Sequence, residues 1–234
     1  MTQKATKRLY INVTDRCNTN CPFCCMYSGT DNKLDMGFDI YKRIIDNTGD
    51  EFFELQLEGG EPLIFGNLYL FIEYAIATKR CTKVIVLTNG IELEKHLHRL
   101  VELYKWYDVE FMLKVSVNYH LLKAVPDHLK TIADLVFATE LLPRFNIILN
   151  TRKRHNDAWI DDEIDSFGLS GINHSFELQS YGRMTGSNYE SVSINQNIDN
   201  WEIYAVDGKC FGNDLVARSE YEKTLAEESK NEHD

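Results

Sequence analysis

The feature that most constrains the fold of this chain is a regular alternation of strand-like runs with helical segments. Six runs rich in β-branched and aromatic residues are each followed by a stretch in which apolar residues recur with helical spacing. The predicted strands are Leu9 to Val13, Phe53 to Leu57, Lys83 to Leu87, Phe111 to Val117, Phe145 to Asn150 and Ser175 to Gln179. This alternation is typical of βαβ units and predicts an α/β fold with a parallel sheet.

The composition of the runs supports a parallel sheet with helices on its faces. Val84 to Leu87 and Ile147 to Leu149 are continuous apolar runs, as expected of strands that are covered on both sides. Pro126-Asp127 predicts a helix start, and Gly49 and Gly90 stand where turns are needed. Two helical faces are predicted, one from Leu93, Leu97, Leu100, Val101 and Tyr104, the other from Leu129, Ile132, Ala133, Val136 and Phe137.

The pattern changes after the sixth predicted strand. Val192 to Ile194 and Trp201 to Ala205, with a turn at Asp207-Gly208, predict an appended β-hairpin. An amphipathic helix is predicted from Leu215 to Leu225. We therefore expect a C-terminal addition to the βα units.

The charge balance argues against a large nucleic-acid interface. The chain has 36 acidic and 25 basic residues, a formal net charge of −11, which repels a phosphate backbone over most of the surface. The basic run Arg152 to His155 is expected to be a solvated loop that grips at most one small anion. No apolar run approaches the roughly 20 residues of a membrane helix, and the first residues lack the apolar segment of a secretory signal. We expect a cytoplasmic protein.

Four of the six cysteines fall between Cys17 and Cys25. Without an export signal, this distribution favours metal ligation or redox chemistry over disulfides. Cys17, Cys21 and Cys24 directly follow the first predicted strand, and three thiolates at these spacings can bind three irons of a cubic cluster and leave the fourth iron open. The alternative is a structural zinc site, but such sites normally have four ligands, and no second Cys-x-x-Cys half is visible. Cys25 is expected to be a small buried residue.

The motif Cys-x-x-x-Cys-x-aromatic-Cys, with Phe23 at its aromatic position, resembles that of the radical S-adenosylmethionine (radical SAM) superfamily. The resemblance implies a [4Fe-4S] cluster on Cys17, Cys21 and Cys24 whose open iron is chelated by S-adenosylmethionine. It also implies reduction by a partner such as flavodoxin or ferredoxin, and a 5′-deoxyadenosyl radical that abstracts hydrogen from a peptide or a small metabolite. The implied fold is a partial (β/α)6 barrel, similar to a TIM barrel with a gap along one side, carrying a C-terminal β-hairpin and helix.

A second motif follows the second predicted strand. Gly59-Gly60-Glu61-Pro62 matches the family's Gly-Gly-Glu-Pro sequence, which implies that these residues bind the amino end of S-adenosylmethionine. Glycines let backbone approach a ligand closely, and the Glu61 carboxylate can receive an ammonium group.

Polar residues stand at the ends of the remaining predicted strands. The resemblance implies that such residues contact the ribose, carboxylate and adenine of the cofactor, although each is equally compatible with a helix cap or a hydrogen-bonded core group. The candidates for cofactor binding are Asn89, Ser116, Asn118, Asn150 and Gln179.

The resemblance extends from about Leu9 to Arg183, so we expect a barrel over residues 1–185 and an extension over 186–234 that covers the barrel mouth. Only Cys210 lies in that extension, which argues against an auxiliary cluster. Cys210 is hypothesised to donate hydrogen to a product radical, the alternative being a buried small residue. A glycyl-radical activating enzyme and a non-catalytic zinc-binding domain remain alternative functions. The sequence does not name the substrate.

Overall fold

The computed structural model describes residues 5–178, 181–184 and 200–231. Strands and helices alternate along the chain, as predicted. The strands are β1 (Lys7–Thr14), β2 (Phe53–Gly59), β3 (Cys81–Thr88), β4 (Glu110–Val117), β5 (Phe145–Lys153), β6 (Asn173–Glu177) and β7 (Trp201–Tyr204). The helices are α1 (Phe38–Asp46), α2 (Leu68–Ala77), α3 (Leu93–Trp106), α4 (Tyr119–Ala124), α5 (His128–Thr139), α6 (Trp159–Ser166) and α7 (Leu215–Asn231).

The strands form one sheet in the order β6-β5-β4-β3-β2-β1-β7. β1 pairs in parallel with both β2 and β7, and β5 pairs in parallel with both β4 and β6. The sheet is open, since β6 and β7 stand at its two ends among the described strands. An open parallel sheet with intervening helices confirms the predicted α/β class and is consistent with a partial TIM-like barrel.

The chain divides into two compact units, Met1–Val84 with Gln179–Asp234, and Ile85–Leu178. In the first unit, alternation along β1 buries Leu9, Ile11 and Val13 on one face of the strand. Tyr10 and Asn12 lie on the opposite face, where they are in register with Gln56 and Glu58 of β2. This second face is therefore polar, and all the motifs described below for the first unit lie at its end.

In the second unit, aromatic side chains form much of the core. The rings of Phe111 and Phe145 stack with their centroids 6.1 Å apart, and Tyr104 of α3 meets Phe145 edge-on at 5.7 Å. Leu93, Leu100 and Tyr104 are buried as predicted for α3.

Five of the six predicted strands are confirmed. The sixth forms as Asn173–Glu177, so it ends before the predicted limit at Gln179, which lies outside the described residues. The predicted helix start is confirmed by α5, which begins at His128. Gly49 and Gly90 have φ angles of +58° and +81°, as turns require. The prediction for Phe137 is wrong, because this side chain is 74% exposed and Leu135 and Thr139 are buried in its place. The buried face of α5 is rotated slightly from the predicted one, so Phe137 lies outside it.

The C-terminal region also departs from expectation. Trp201–Tyr204 does form a hairpin, with Phe211 donating to the carbonyl of Ile203 at 2.8 Å, but its first strand joins the sheet as β7. The predicted segment Val192 to Ile194 lies outside the described residues. No helix among the described residues is long and apolar enough to cross a lipid bilayer.

Candidate active site

The cysteine loop, residues 15–34, is closed at its base by Asp15 at the end of β1. The buried Asp15 carboxylate accepts hydrogen bonds from the Leu34 amide at 2.7 Å and from Asn32 Nδ2 at 3.2 Å. Burial raises the pKa of Asp15, and these two hydrogen bonds oppose that rise. Midway along the loop, the Cys17 amide donates to the Gly29 carbonyl at 3.1 Å. The loop is thus a fixed structure in its own right.

The side chains of Cys17 and Cys21 approach a common neighbour within this loop. The Thr19 hydroxyl oxygen lies 3.3 Å from Cys17 Sγ and 3.6 Å from Cys21 Sγ, so these two sulfurs share one neighbour. A turn in which the Cys24 amide donates to the Cys21 carbonyl at 3.2 Å carries the third sulfur. All three cysteines are half-buried. Phe23, between the second and third, is also half-buried.

Burial disfavours ionisation of two thiols of this loop, those of Cys21 and Cys24. Burial raises the pKa of Cys24 to about 11 and also raises that of Cys21. Coordinated iron would deprotonate them, because a bound metal ion is the largest local charge. Within the part of the chain that the structure describes, no three His, Cys, Asp or Glu side chains are close enough to hold a single metal ion. A cubic cluster does not require three side chains around one ion, because each thiolate binds a different iron of the cluster. A set of three cysteine sulfurs therefore fits that group.

The glycine turn, residues 59–62, packs directly on the start of the cysteine loop. The Gly60 amide donates to the Thr14 carbonyl at 2.7 Å, and the Glu61 amide donates to the Arg16 carbonyl at 2.8 Å. A Cβ on Gly60 would lie 1.9 Å from the Arg16 oxygen, and one on Gly59 would lie 2.2 Å from the Thr14 oxygen. The glycines are therefore required by contact with backbone of the same chain. Sequence reasoning assigned them only to close approach of a ligand.

Glu61 is fully buried, and it also caps the short 3-10 helix Pro62–Ile64. Its Oε1 accepts a hydrogen bond from the Leu63 amide at 3.0 Å. A buried carboxylate is costly unless it is paired or hydrogen-bonded, and a ligand ammonium would supply the strongest kind of partner.

A third segment, residues 181–184, packs on the cysteine loop. The Arg183 guanidinium donates to the carbonyls of Cys21, at 3.1 Å, and Tyr27, at 2.8 Å, while the Arg183 amide donates to the Cys24 carbonyl at 3.1 Å. Gly182 has a φ of +72°, and a Cβ there would lie 2.4 Å from Cys25 Cα. The sequence predicts no role for Arg183, because a hydrogen bond from its side chain to a distant backbone carbonyl leaves no local pattern.

The candidates in the second unit have local partners. Asn118 Oδ1 caps α4 by accepting from His120 and Leu121, both at 3.0 Å, and Asn89 Oδ1 accepts from the Ile91 amide at 3.0 Å. The Ser116 carbonyl lies 3.0 Å from Nε2 of the buried His128, whose pKa is lowered by burial. Ser116 and Asn150 are half-buried, and Gln179 lies outside the described residues. Cofactor binding by these residues stays a prediction.

The remaining cysteines differ from one another. Cys25 is half-buried, so the expectation that it is a buried residue is wrong. Its backbone packs against Gly182, and its carbonyl accepts a hydrogen bond from Ser219. Cys81 is buried at the start of β3, and burial raises its pKa to about 12. Cys210 is exposed, which excludes the alternative of a buried small residue and leaves its role as a hydrogen donor a prediction.

The chain thus combines an open parallel α/β sheet with a three-cysteine loop after its first strand and a Gly-Gly-Glu-Pro turn after its second. Residues 11–111 match the family model described as "Radical SAM superfamily". That match contains both motifs and assigns this part of the chain to the superfamily.

Among curated proteins, the chain is 33% identical over 101 residues to the GTP 3′,8-cyclase of Synechocystis, which covers 41% of this chain and 30% of the cyclase. It is 34% identical over 98 residues to the 7,8-dihydro-6-hydroxymethylpterin dimethyltransferase of Methanocaldococcus jannaschii, covering 39% and 19% of the two chains. The match thus spans less than a third of either relative.

Among solved structures, Streptococcus suis SuiB bound to its precursor peptide SuiA superposes with a TM-score of 0.55. The two are 14% identical, and the match covers 74% of this chain and 39% of SuiB. SuiB bound to S-adenosylmethionine gives a TM-score of 0.53 at the same identity, covering 78% of this chain and 40% of SuiB. At this identity the likeness shows a shared fold.

Proposed function

We propose that this chain is a radical SAM enzyme that holds a [4Fe-4S] cluster on Cys17, Cys21 and Cys24 and binds S-adenosylmethionine beside it, at Gly59 to Pro62. The observation that carries the proposal is the direct bonding of the glycine turn to residues 14–16, the backbone that leads into Cys17. These backbone hydrogen bonds join the segment proposed to bind the cofactor to the segment that leads into the proposed cluster ligands.

When bound, the cluster would supply the electron for the reductive cleavage of S-adenosylmethionine that starts hydrogen abstraction from a substrate. The chain's own residues would bind and orient the cluster and S-adenosylmethionine. Cys17, Cys21 and Cys24 would hold the cluster, and Glu61 would receive the ammonium group of S-adenosylmethionine. Asp15, Thr19 and Arg183 fix the loop that carries the thiolates.

The substrate is a peptide or a small metabolite, and the reductant is a flavodoxin- or ferredoxin-like protein. The likeness to SuiB in complex with a precursor peptide supports a peptide substrate. The likeness to the GTP 3′,8-cyclase and the pterin dimethyltransferase supports a small-molecule substrate. Candidate substrates deuterated at the reacting carbon distinguish these classes, because the correct one transfers deuterium into 5′-deoxyadenosine.

Cluster binding is tested by anaerobic reconstitution of the wild type, of the variant Cys17→Ala/Cys21→Ala/Cys24→Ala and of the matched control Cys25→Ala. The wild type and the control should bind about four irons per chain and absorb broadly at about 400 nm, whereas the triple variant should bind none. A triple variant that retains its iron would contradict the assignment of Cys17, Cys21 and Cys24 as ligands. A colourless wild type that carries tightly bound zinc would favour the structural zinc site instead.

A further inference from the structure

Helix α7 buries polar side chains against the polar face of β1 and β2. Arg218, Ser219 and Glu222 lie on one side of the helix and are 3%, 0% and 1% exposed. Such residues are almost never fully buried without partners. Their partners identify what the helix contacts, since each one lies beside the cysteine loop or the glycine turn.

Arg218 forms a buried ion pair with Glu58, through Nη1 and the carboxylate oxygen Oε1. Glu58 is 3% exposed and immediately precedes Gly59 in the chain. The Arg218 guanidinium also lies 5.1 Å from the ring centroid of Tyr10 on β1. This pair therefore holds the last residue before the glycine turn.

Glu222 contacts the same turn through Asn12. Asn12 Nδ2 donates to Glu222 Oε1 at 2.6 Å, and the same oxygen accepts from the Val206 amide at 3.2 Å. Asn12 Oδ1 accepts from the Thr14 amide at 3.2 Å and lies 2.2 Å from the position that a Cβ on Gly59 would occupy. The Glu222 side chain thus orients the side-chain amide of Asn12, which packs against Gly59.

The helix reaches the cysteine loop as well, because Ser219 Oγ donates to the Cys25 carbonyl at 2.5 Å. Residues 218, 219 and 222 consequently contact Glu58 and Asn12, which adjoin the glycine turn, and Cys25 of the cysteine loop. The helix itself lies far outside residues 11–111, the part of the chain that matches the family model.

Stability alone does not account for this arrangement. A buried ion pair contributes little more than well-packed apolar residues of the same volume, because desolvation offsets the attraction of the charges. Arg218 Nε and Glu222 Oε2 also have no hydrogen-bond partner among the described residues, and such atoms are costly to bury. This network adds little to the stability of the fold, and it contacts residues that adjoin both motifs. It is better explained by the conformation that it imposes on those residues.

We propose that Arg218 and Glu222 are positioning residues that hold the glycine turn in the conformation that binds S-adenosylmethionine. This inference rests on the proposed function. It makes the C-terminal helix part of the cofactor site, although none of its side chains need touch the cofactor.

The test measures the Kd for S-adenosylmethionine, by anaerobic calorimetry, in the reconstituted full chain and its variants. Glu222→Leu removes the acceptor for Asn12 and should weaken binding at least tenfold with unchanged iron content. Glu222→Gln keeps an oxygen acceptor and should stay within about threefold of the wild type. Glu58→Gln/Arg218→Met leaves no unpaired buried charge, should also weaken binding at least tenfold, and keeps the test decisive if Glu222→Leu does not fold.

The matched control is Arg154→Met/Asp157→Asn, which removes an ion pair with a buried carboxylate from the second unit. It should leave the Kd unchanged. A second readout uses the protein without its cluster: the amides of Gly60 and Glu61 should exchange with solvent at least tenfold faster in Glu222→Leu than in the wild type or the control.

Lower melting temperatures with an unchanged Kd and unchanged exchange at these amides would overturn the inference and leave the proposed function intact. A wild type that binds neither the cluster nor S-adenosylmethionine would instead contradict the proposed function itself.

Discussion

At the scale of single residues, the candidate site depends on backbone contacts that only glycine allows and on side chains that bond to carbonyl oxygens. Gly59 and Gly60 let the glycine turn pack on residues 14–16, and Gly182 lets a second segment pack on Cys25. Glu61 and Arg183 then supply the charged groups at these two contacts. Their roles are separable by substitution.

Glu61→Gln should weaken binding of S-adenosylmethionine more than tenfold. The variant loses the charge that pairs with the ligand ammonium, a change of about 1.5–3 kcal/mol, but keeps an oxygen to accept from Leu63. Calorimetry on reconstituted protein measures the effect. If Glu61 serves only as a helix cap, affinity will be unchanged.

Arg183→Met should lower the amount of iron that remains bound after gel filtration, because the loop carbonyls of Cys21 and Tyr27 lose their donors. A loss of at least half of the iron is expected. Arg144→Met is the matched control, since Arg144 forms a surface ion pair with Asp108 and such pairs contribute little. Equal iron retention in the two variants would show that Arg183 does not stabilise the cysteine loop.

At the scale of elements, the strands were predictable and the buried face of α7 was not. Continuous apolar runs are local features, so a strand formed at each of the six predicted places, although the sixth is shifted toward the N-terminus and ends at Glu177. The predicted amphipathic helix also formed, from Leu215, but it buries Arg218 and Glu222. Their partners Glu58 and Asn12 lie 160 and 210 residues away in the chain, and no local periodicity reports such pairings.

The same limit applies to the site. The cysteine and glycine motifs are short and local, and their sequence alone indicated the chemistry. The residues that hold them, Asp15, Arg183 and Glu222, act through tertiary contacts with distant backbone or side chains. Asn118 shows the opposite case: its side chain forms a local helix cap, and its predicted contact with the cofactor stays a prediction.

Glu222 should make stability depend on pH. Burial, the largest cause, raises its pKa from 4.5 to about 7, against the opposing effects of Asn12 and Arg218. The folded state therefore holds this proton more tightly than the unfolded state, and the stability it contributes is present below about pH 4.5 and lost as pH rises through about 7.

In Glu222→Gln this loss should disappear, so the melting temperature of the variant minus that of the wild type should increase from pH 5 to pH 8. The difference cancels the titration of other buried groups, such as His128, whose pKa is lowered. A difference that stays constant over this range would show that Glu222 does not titrate there.

At the scale of the whole molecule, the fold and the proposed metal chemistry are carried largely by different residues. Most of the buried hydrophobic residues of the two units come from strands and helices, whereas Cys17, Cys21 and Cys24 are half-buried in a loop. The seventh strand was foreseen only as part of a hairpin, because its parallel pairing with β1 brings together segments from opposite ends of the chain.

Removing the three cysteines together should therefore leave a folded protein. Without the cluster, the triple alanine variant should unfold with a free energy within about 1 kcal/mol of the wild type, as is usual for substitutions outside the core. Chemical denaturation of both apo proteins measures this. A variant that is unfolded at 25 °C would show that the loop is part of the core.

The measurement that most directly tests the central claim follows 5′-deoxyadenosine and methionine by mass spectrometry after anaerobic reconstitution and chemical reduction. The wild type and Cys25→Ala should form both products from S-adenosylmethionine in equal amounts, and variants in which Cys17, Cys21 or Cys24 is replaced by alanine should form neither. Absence of cleavage by a fully reconstituted wild type, or undiminished cleavage by any of the three single variants, would contradict the account.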